Sequence, residues 1–296
     1  MTPDALEAWP LPSLATVGSP YDGMARSIVL GMPQLCRDGL SETWLLKDIG
    51  HRHWTLLAYA LGLSLPEFED AHGAAVHAAF NAVSLRHGDL GAARANAVLD
   101  VASDLTRLSN TQFRSVHRLS VKGRPVAEVE VISTFVKRMT AGVNRSAAAA
   151  TPLGLPPLIR RAPLTGFAAE ASALRAERWQ AHFGFERSAG HAQAEFIIDA
   201  CPAQDFNGAG YLYCAMFQAF VDRAEWSFFR ITDLAVVTRR RDIIYRGNID
   251  VGDRVVISLL AVVRDDHSLT HWCRLTRESG RAILADIFTA RALSVL

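Results

Sequence analysis

The stretch CPAQDFNGAGYLYCAMFQAFVDRAEW, residues 201–226, joins a polar, glycine-containing turn to a long apolar segment. Leu212, Met216, Phe217, Phe220 and Trp226 recur at roughly the i, i+4, i+5, i+8 spacing of a helix face buried against a sheet. The turn carries Asp205, Asn207, Gly208 and Gly210. A helix entered through glycine and small polar residues leaves its first backbone N–H groups without intrahelical partners, and these suit a developing oxyanion. The turn is therefore a candidate active site, and the helix after it needs a sheet to cover it.

A weaker version of this layout lies in the first half. Strand-like RSIVLGMP (26–33) leads into CRDG and a predicted helix, LSETWLLKDIGHRHWTLLAYAL (40–61). In the second half AQAEFIIDACP (192–202) leads into AQDFNG and a predicted helix over 209–229. Met32-Pro33 and Cys201-Pro202 hold matching places, and Trp54 and Trp226 stand late in the two helices. Strands follow in both halves, over 97–108, 113–121 and 125–138 in the first, and over 242–249, 253–265, 268–277 and 281–293 in the second. Lys122-Gly123-Arg124 and Glu278-Ser279-Gly280 are the matching turns. The repeated order of strand, turn, apolar helix and antiparallel strands predicts an α+β fold in which each helix is wrapped by sheet.

At 296 residues the chain is about twice the usual single-domain length of roughly 150, so either one large domain or two fused ones is expected. Residues 144–165, NRSAAAATPLGLPPLIRRAPLT, are rich in proline and alanine and read as a linker with little packed structure, followed by a short helix over 168–179. The expected organisation is an N-terminal extension (1–25), a first domain (26–143), a linker with a short helix (144–190) and a second domain (191–296). Net charge is +1 and no basic block exceeds Arg239, Arg240 and Arg241, so neither nucleic acid nor a membrane is an expected partner. That triplet reads as a solvated loop or as an anion-recognition element. Cys36, Cys201, Cys214 and Cys273 follow no metal-binding spacing, so no metal is expected, and reduced thiols suit a cytoplasmic protein. The acidic, proline-containing N-terminus does not read as a signal peptide, and no apolar run approaches the roughly 20 residues of a membrane span.

Asp205-Phe206-Asn207-Gly208-Ala209-Gly210-Tyr211 resembles the D-x-N-x-x-G-x-Y signature of hot-dog acyl-CoA thioesterases. Gly31-Met32-Pro33, Gly39-Leu40-Ser41-Glu42 and Ile49-Gly50-His51-Arg52-His53-Trp54 resemble the double hot-dog biosynthetic proteins related to the leinamycin-type bifunctional acyltransferase/decarboxylase. Together the matches span most of residues 26–293. The resemblance implies a double hot dog acting on acyl thioesters of coenzyme A or of an acyl carrier protein in polyketide-type specialised biosynthesis, as an acyltransferase with or without decarboxylation. It implies no cofactor beyond the coenzyme A or phosphopantetheine arm that carries the substrate, and an acyl carrier protein or acyl-CoA as partner. Hydrolysis of the thioester, dehydration of a β-hydroxyacyl thioester and non-catalytic carrier binding are the alternatives. A monomer and a homodimer both satisfy the pattern.

The resemblance also orders the candidate residues. The family's catalytic tyrosine falls in the segment corresponding to GAAVHAAFNAV, where this chain places His77. Asp205 is a general base or nucleophile, or else a helix N-cap. Asn207 orients water or a carbonyl oxygen, or else shapes the turn. Gly208 and Gly210 offer backbone N–H groups to an oxyanion, and Tyr211 joins them in substrate binding. Ser41 and Glu42 are helix-start residues that a double hot dog can bring across to the second-half turn. His51 is an acid/base candidate, and His53 lies too near it on one helix to share a metal as an i, i+4 pair would.

Overall fold

The computed structural model describes residues 27–158 and 164–295. The N-terminal extension, residues 159–163 of the linker and Leu296 lie outside the described residues. The first half holds β1 (Ser27–Val29), α1 (Glu42–Ala60), β2 (Ala75–Arg86), β3 (Val98–Arg107), β4 (Gln112–Val121) and β5 (Arg124–Arg138). The middle contributes β6 (Ala147–Ala149) and α2 (Gly166–Arg175). The second half holds β7 (Ala194–Asp199), α3 (Pro202–Asp205), α4 (Cys214–Phe229), β8 (Leu234–Tyr245), β9 (Arg254–Arg264), β10 (Ser268–Arg277) and β11 (Ile283–Val295).

All the main strands form one antiparallel sheet, twelve-stranded with its short additions, in the order β1-β3-β4-β5-β2-β8-β11-β10-β9-β7. Each half repeats the same internal order, and the halves meet where β2 pairs with β8, Val83 opposite Ile243 and Ser84 opposite Asp242. The seam is thus hydrogen-bonded sheet and not only a packed interface.

Both long helices lie on one face of this sheet. Leu45, Leu46 and Ile49 of α1 and Ala215, Phe217, Phe220 and Val221 of α4 share a core with Val83, Leu85 and Ile243. The helices run antiparallel: Thr43 donates to Gln218 at 3.0 Å, and Tyr213, just before α4, donates to the Lys47 carbonyl at 3.4 Å. Alternation along β8 sends Ile244 to the opposite face, where Phe167, Ala171 and Leu174 of α2 cover it with Trp272 and Phe288. Residues 144–149 are accordingly more structured than their composition predicts. β6 pairs with β5, and Asn144, 3% exposed, is tied into the second half.

Local signals explain the helix ends. Ser41 caps α1, its Oγ accepting from the Trp44 N–H at 3.3 Å. α4 starts five residues later than the pattern predicts, because residues 206–213 form a separate loop and Tyr213 is the uncapped residue before the helix. Asp205 and Asn207 are therefore not caps of α4. Two further corrections concern strands. Patterning assigns no strand to 75–86, yet β2 is a central one, and β8 begins at Leu234, so the arginine triplet lies within the sheet. Arg241 is 1% exposed.

The two halves differ in the polar groups beneath their helices. His53, one residue before Trp54, bonds Ser115 and Ser133 at 2.7 Å each, and Ser115 and Ser103 hold His117 at 2.8 Å. Burial holds His53 down to about 3, so the imidazole is neutral. At the matching place Glu225, one residue before Trp226, bonds His271 at 2.7 Å and Arg291 at 3.1 Å. Arg241 and Arg291 both meet Asp222, and Arg241 pairs with Glu42 at 3.0 Å. The first half keeps a neutral network; the second fills the equivalent space with ion pairs.

Candidate functional site

A cavity of about 300 Å³ opens between the halves on the side of the neutral network. Trp54 of α1, residues 77–81 of β2 and Thr134 and Val136 of β5 form one wall. The opposite wall comes from the loop residues Asn207, Ala209 and Tyr211 to Tyr213, from Cys214 and Phe217 of α4, and from Tyr245 to Asn248. A register shift between Phe80 and Ala82 marks a bulge in β2, which lets consecutive residues reach the cavity.

The loop before α4 is shaped by Asn207. Its Oδ1 accepts from the Ala209 and Tyr211 N–H groups at 3.0 and 3.1 Å, while its carbonyl accepts from Gly210 at 2.8 Å. Gly210 has φ +74°, a conformation that favours glycine. The N–H of Gly210 is thus engaged in the turn, and Gly208 lies outside the cavity lining, so the expected backbone oxyanion site at these glycines is not formed. The Nδ2 of Asn207 has no hydrogen-bond partner among the described residues.

Arg138 and Asn144, which the sequence reading passed over, hold this loop in place. Arg138 bonds the Asn144 Oδ1 and the Ala209 carbonyl, and its guanidinium lies 3.9 Å from the Tyr211 ring centroid. Asn144 donates to the carbonyls of Gly210 and Ile249 at 2.7 Å each. No local motif marks either residue, because their partners come from distant parts of the chain.

Tyr211 is 9% exposed and its buried hydroxyl has no hydrogen-bond partner among the described residues. Burial raises its pKa, against a smaller opposing effect of Arg138, so the phenol stays a hydrogen-bond donor. His77 faces it edge-on, ring centroids 5.5 Å apart, and neither imidazole nitrogen bonds a described residue. Burial, with Arg138 adding, lowers the His77 pKa, so a neutral imidazole lines the cavity at neutral pH. Burial pushes the Cys214 thiol up to about 12, which removes it as a thiolate nucleophile.

The other sequence candidates sit elsewhere. Asp205 is 2% exposed, but it borders a separate groove with Thr43, Lys47, Gln204 and Arg223. Its Oδ2 accepts from the Cys201 N–H at 2.7 Å and its Oδ1 has no partner among the described residues. Glu42 does not face the second-half turn; it accepts from Thr238 at 2.8 Å, and burial raises its pKa despite Arg241. Ser41 is the α1 cap, and His51 is exposed on α1 away from the cavity. Glu170, His182 and Asp242 bring possible metal-binding atoms within 4.8 Å of one another, but Arg86 and Arg240 already pair with the two carboxylates. No Asp or Glu is among the described residues lining the cavity, so these do not assemble the histidine and carboxylate pair of a dehydratase there.

No family model and no curated protein matches the chain. Solved structures do. The 12:0-ACP thioesterase from Umbellularia californica aligns at 12% identity over 91% of this chain and 93% of its own, with a TM-score of 0.57. A putative oleoyl thioesterase from Lactobacillus plantarum aligns at 12% identity over 90% and 94%, with a TM-score of 0.59. An acyl-ACP thioesterase from Bacteroides thetaiotaomicron aligns at 8% identity over 90% and 96%, with a TM-score of 0.54. The chain has the double hot-dog fold. In this double hot dog the open cavity lies at the junction of the two halves, bounded by α1 of one half and the loop before α4 of the other. Among the described residues no helix is long and apolar enough to cross a membrane.

Proposed function

We propose that the protein is an enzyme of acyl thioesters, presented on coenzyme A or on the phosphopantetheine arm of an acyl carrier protein, and that it hydrolyses them in the cavity between its halves. The observation that carries this reading is the buried, unpartnered Tyr211 hydroxyl opposite an unbonded, neutral His77. Tyr211 and the Asn207 Nδ2 supply hydrogen bonds to the thioester carbonyl oxygen as charge develops there. His77 takes a proton from water while the water oxygen bonds the carbonyl carbon. The C–S bond then breaks, and the same proton passes to the departing sulfur. The products are a free acid and a free thiol, and no cofactor is consumed. Acyl-thioester action by the neighbours of the fold supports the substrate class.

Acyl transfer is the second reading, favoured by the lack of a carboxylate among the described residues lining the cavity and by the resemblance of the first-half motif to the leinamycin-type enzymes. A carrier thiol is far more acidic than water and needs far less help from a base. Incubation with simple acyl, malonyl, methylmalonyl and β-hydroxyacyl thioesters on coenzyme A and on a carrier protein, read by intact mass, tests both. Free thiol and free acid are the expected products; acyl gain on the carrier marks transfer, and loss of carbon dioxide marks decarboxylation. Inertness toward every thioester, with tight carrier binding, would overturn the proposal in favour of a binding protein.

A further inference from the structure

One aromatic residue of the cavity lining is held from several sides. Phe80 projects from β2 beside the bulge, its ring edge-on to His53 with centroids 5.4 Å apart and to Tyr245 at 6.5 Å. Phe217 packs on Tyr245 at 5.0 Å and continues the wall. Behind Phe80, both nitrogens of His53 are held by Ser115 and Ser133, so this ring rests on an imidazole that cannot turn away without losing two buried hydrogen bonds. The tip of Phe80 meets α1 at Gly50, where an added Cβ would lie 3.7 Å from Phe80 Cζ, 3.8 Å from Cys214 Sγ and 3.8 Å from Tyr213 Oη. Phe80, Tyr213 and Cys214 all line the cavity.

Gly50 is buried in the middle of α1 and does not have a positive φ, so its backbone does not require glycine. Glycine inside a helix is less stable than alanine, and here a methyl group would make only ordinary van der Waals contact. Gly50 thus marks where the Phe80 ring abuts α1, and alanine there would keep that contact.

We propose that Phe80, seated on Gly50 and backed by His53, is the residue that sets acyl-chain length, and that it selects short acyl groups. This assignment rests on the thioester reading above. An acyl chain entering past His77 and Tyr211 meets the Phe80 ring before it can run between α1 and the sheet. One methylene more or less in such an apolar pocket changes kcat/KM by about 10- to 200-fold. Truncating Phe80 joins the cavity to the space over Gly50 and admits longer chains.

The test is a series of acetyl, butyryl, hexanoyl, octanoyl and lauroyl thioesters, each on coenzyme A and on a carrier protein, with kcat/KM measured for the wild type, Phe80→Ala and the milder Phe80→Leu. The wild type should favour the short members. Phe80→Ala should raise the octanoyl-to-acetyl ratio of kcat/KM by about tenfold or more, with Phe80→Leu between the two. The ratio is internal to each variant, so partial unfolding, which lowers every member equally, does not imitate the shift. An active wild type whose ratio is unchanged in both variants would overturn the Phe80 assignment alone, as would a wild type that prefers lauroyl. A folded wild type inert across the series would overturn the thioester reading and this assignment with it.

Discussion

Replacing His77 with glutamine lowers kcat/KM for thioester cleavage by about 100- to 10,000-fold, the usual contribution of a positioned general base. The expectation follows from the isolation of the residue. His77 is half-buried on β2, its ring nitrogens bond no described residue, and no Asp or Glu lines the cavity to share its role. Glutamine retains polarity and similar length, so the loss reports the missing base and not a collapsed wall. The pH profile gives a second readout. Burial and the nearby Arg138 hold the imidazole below its ordinary value, so the base is neutral, and active, down to a pH below about 6.5. The wild-type rate should therefore rise with pH through a midpoint on the acid side of 6.5, and that limb should vanish in His77→Gln. An unchanged kcat/KM in the variant would remove His77 from the chemistry.

Arg291→Met is expected to cost about 3–5 kcal/mol of folding stability, the range seen when one partner of a buried ion pair is removed. Arg291 is 8% exposed and bonds Glu225, Asp222 and Thr238 at once. Burial alone would push the Glu225 carboxyl up; Arg291, with His271 and Arg241, more than offsets this and holds it well below the usual carboxylate range. A carboxylate held down in the folded state stabilises above its unfolded value of about 4.3 and loses that contribution as pH falls. The deficit of the variant should therefore be largest near neutral pH and shrink as pH falls, because protonating Glu225 removes the unpaired buried charge that the substitution leaves. Urea denaturation at pH 7 and pH 4 measures both effects, and a loss under 1 kcal/mol would show that the network contributes little.

The second-half motif was the most legible part of the sequence because its apolar spacing and its turn chemistry are both local. Seeing that layout twice predicted an α+β repeat, and the resemblance of its motifs supplied the double hot dog. What the sequence hid was set by partners far away in the chain. Arg239, Arg240 and Arg241 look like a solvated run, yet Arg241 is buried because Glu42 and Asp222 from the two helices neutralise it. Residues 75–86 escaped assignment because alanines and the bulge near Asn81 blur the strand period. The site was partly legible: Asn207, Tyr211 and His77 reach one cavity, whereas Asp205, two residues before Asn207, turns to another groove. Spacing alone does not reveal that divergence, since the short α3 helix ending at Asp205 and the loop after it decide which way each side chain points.

The central claim is that acyl thioesters bind in the cavity between Trp54, His77 and Tyr211. A crystal structure with a non-cleavable ketone analogue of butyryl coenzyme A, in which a methylene replaces the thioester sulfur, tests it most directly. The account predicts the ketone oxygen within hydrogen-bond distance of Tyr211 Oη and the acyl end against Phe80. Analogue bound instead in the groove of Thr43, Lys47 and Asp205, with the cavity at Tyr211 empty, would contradict it.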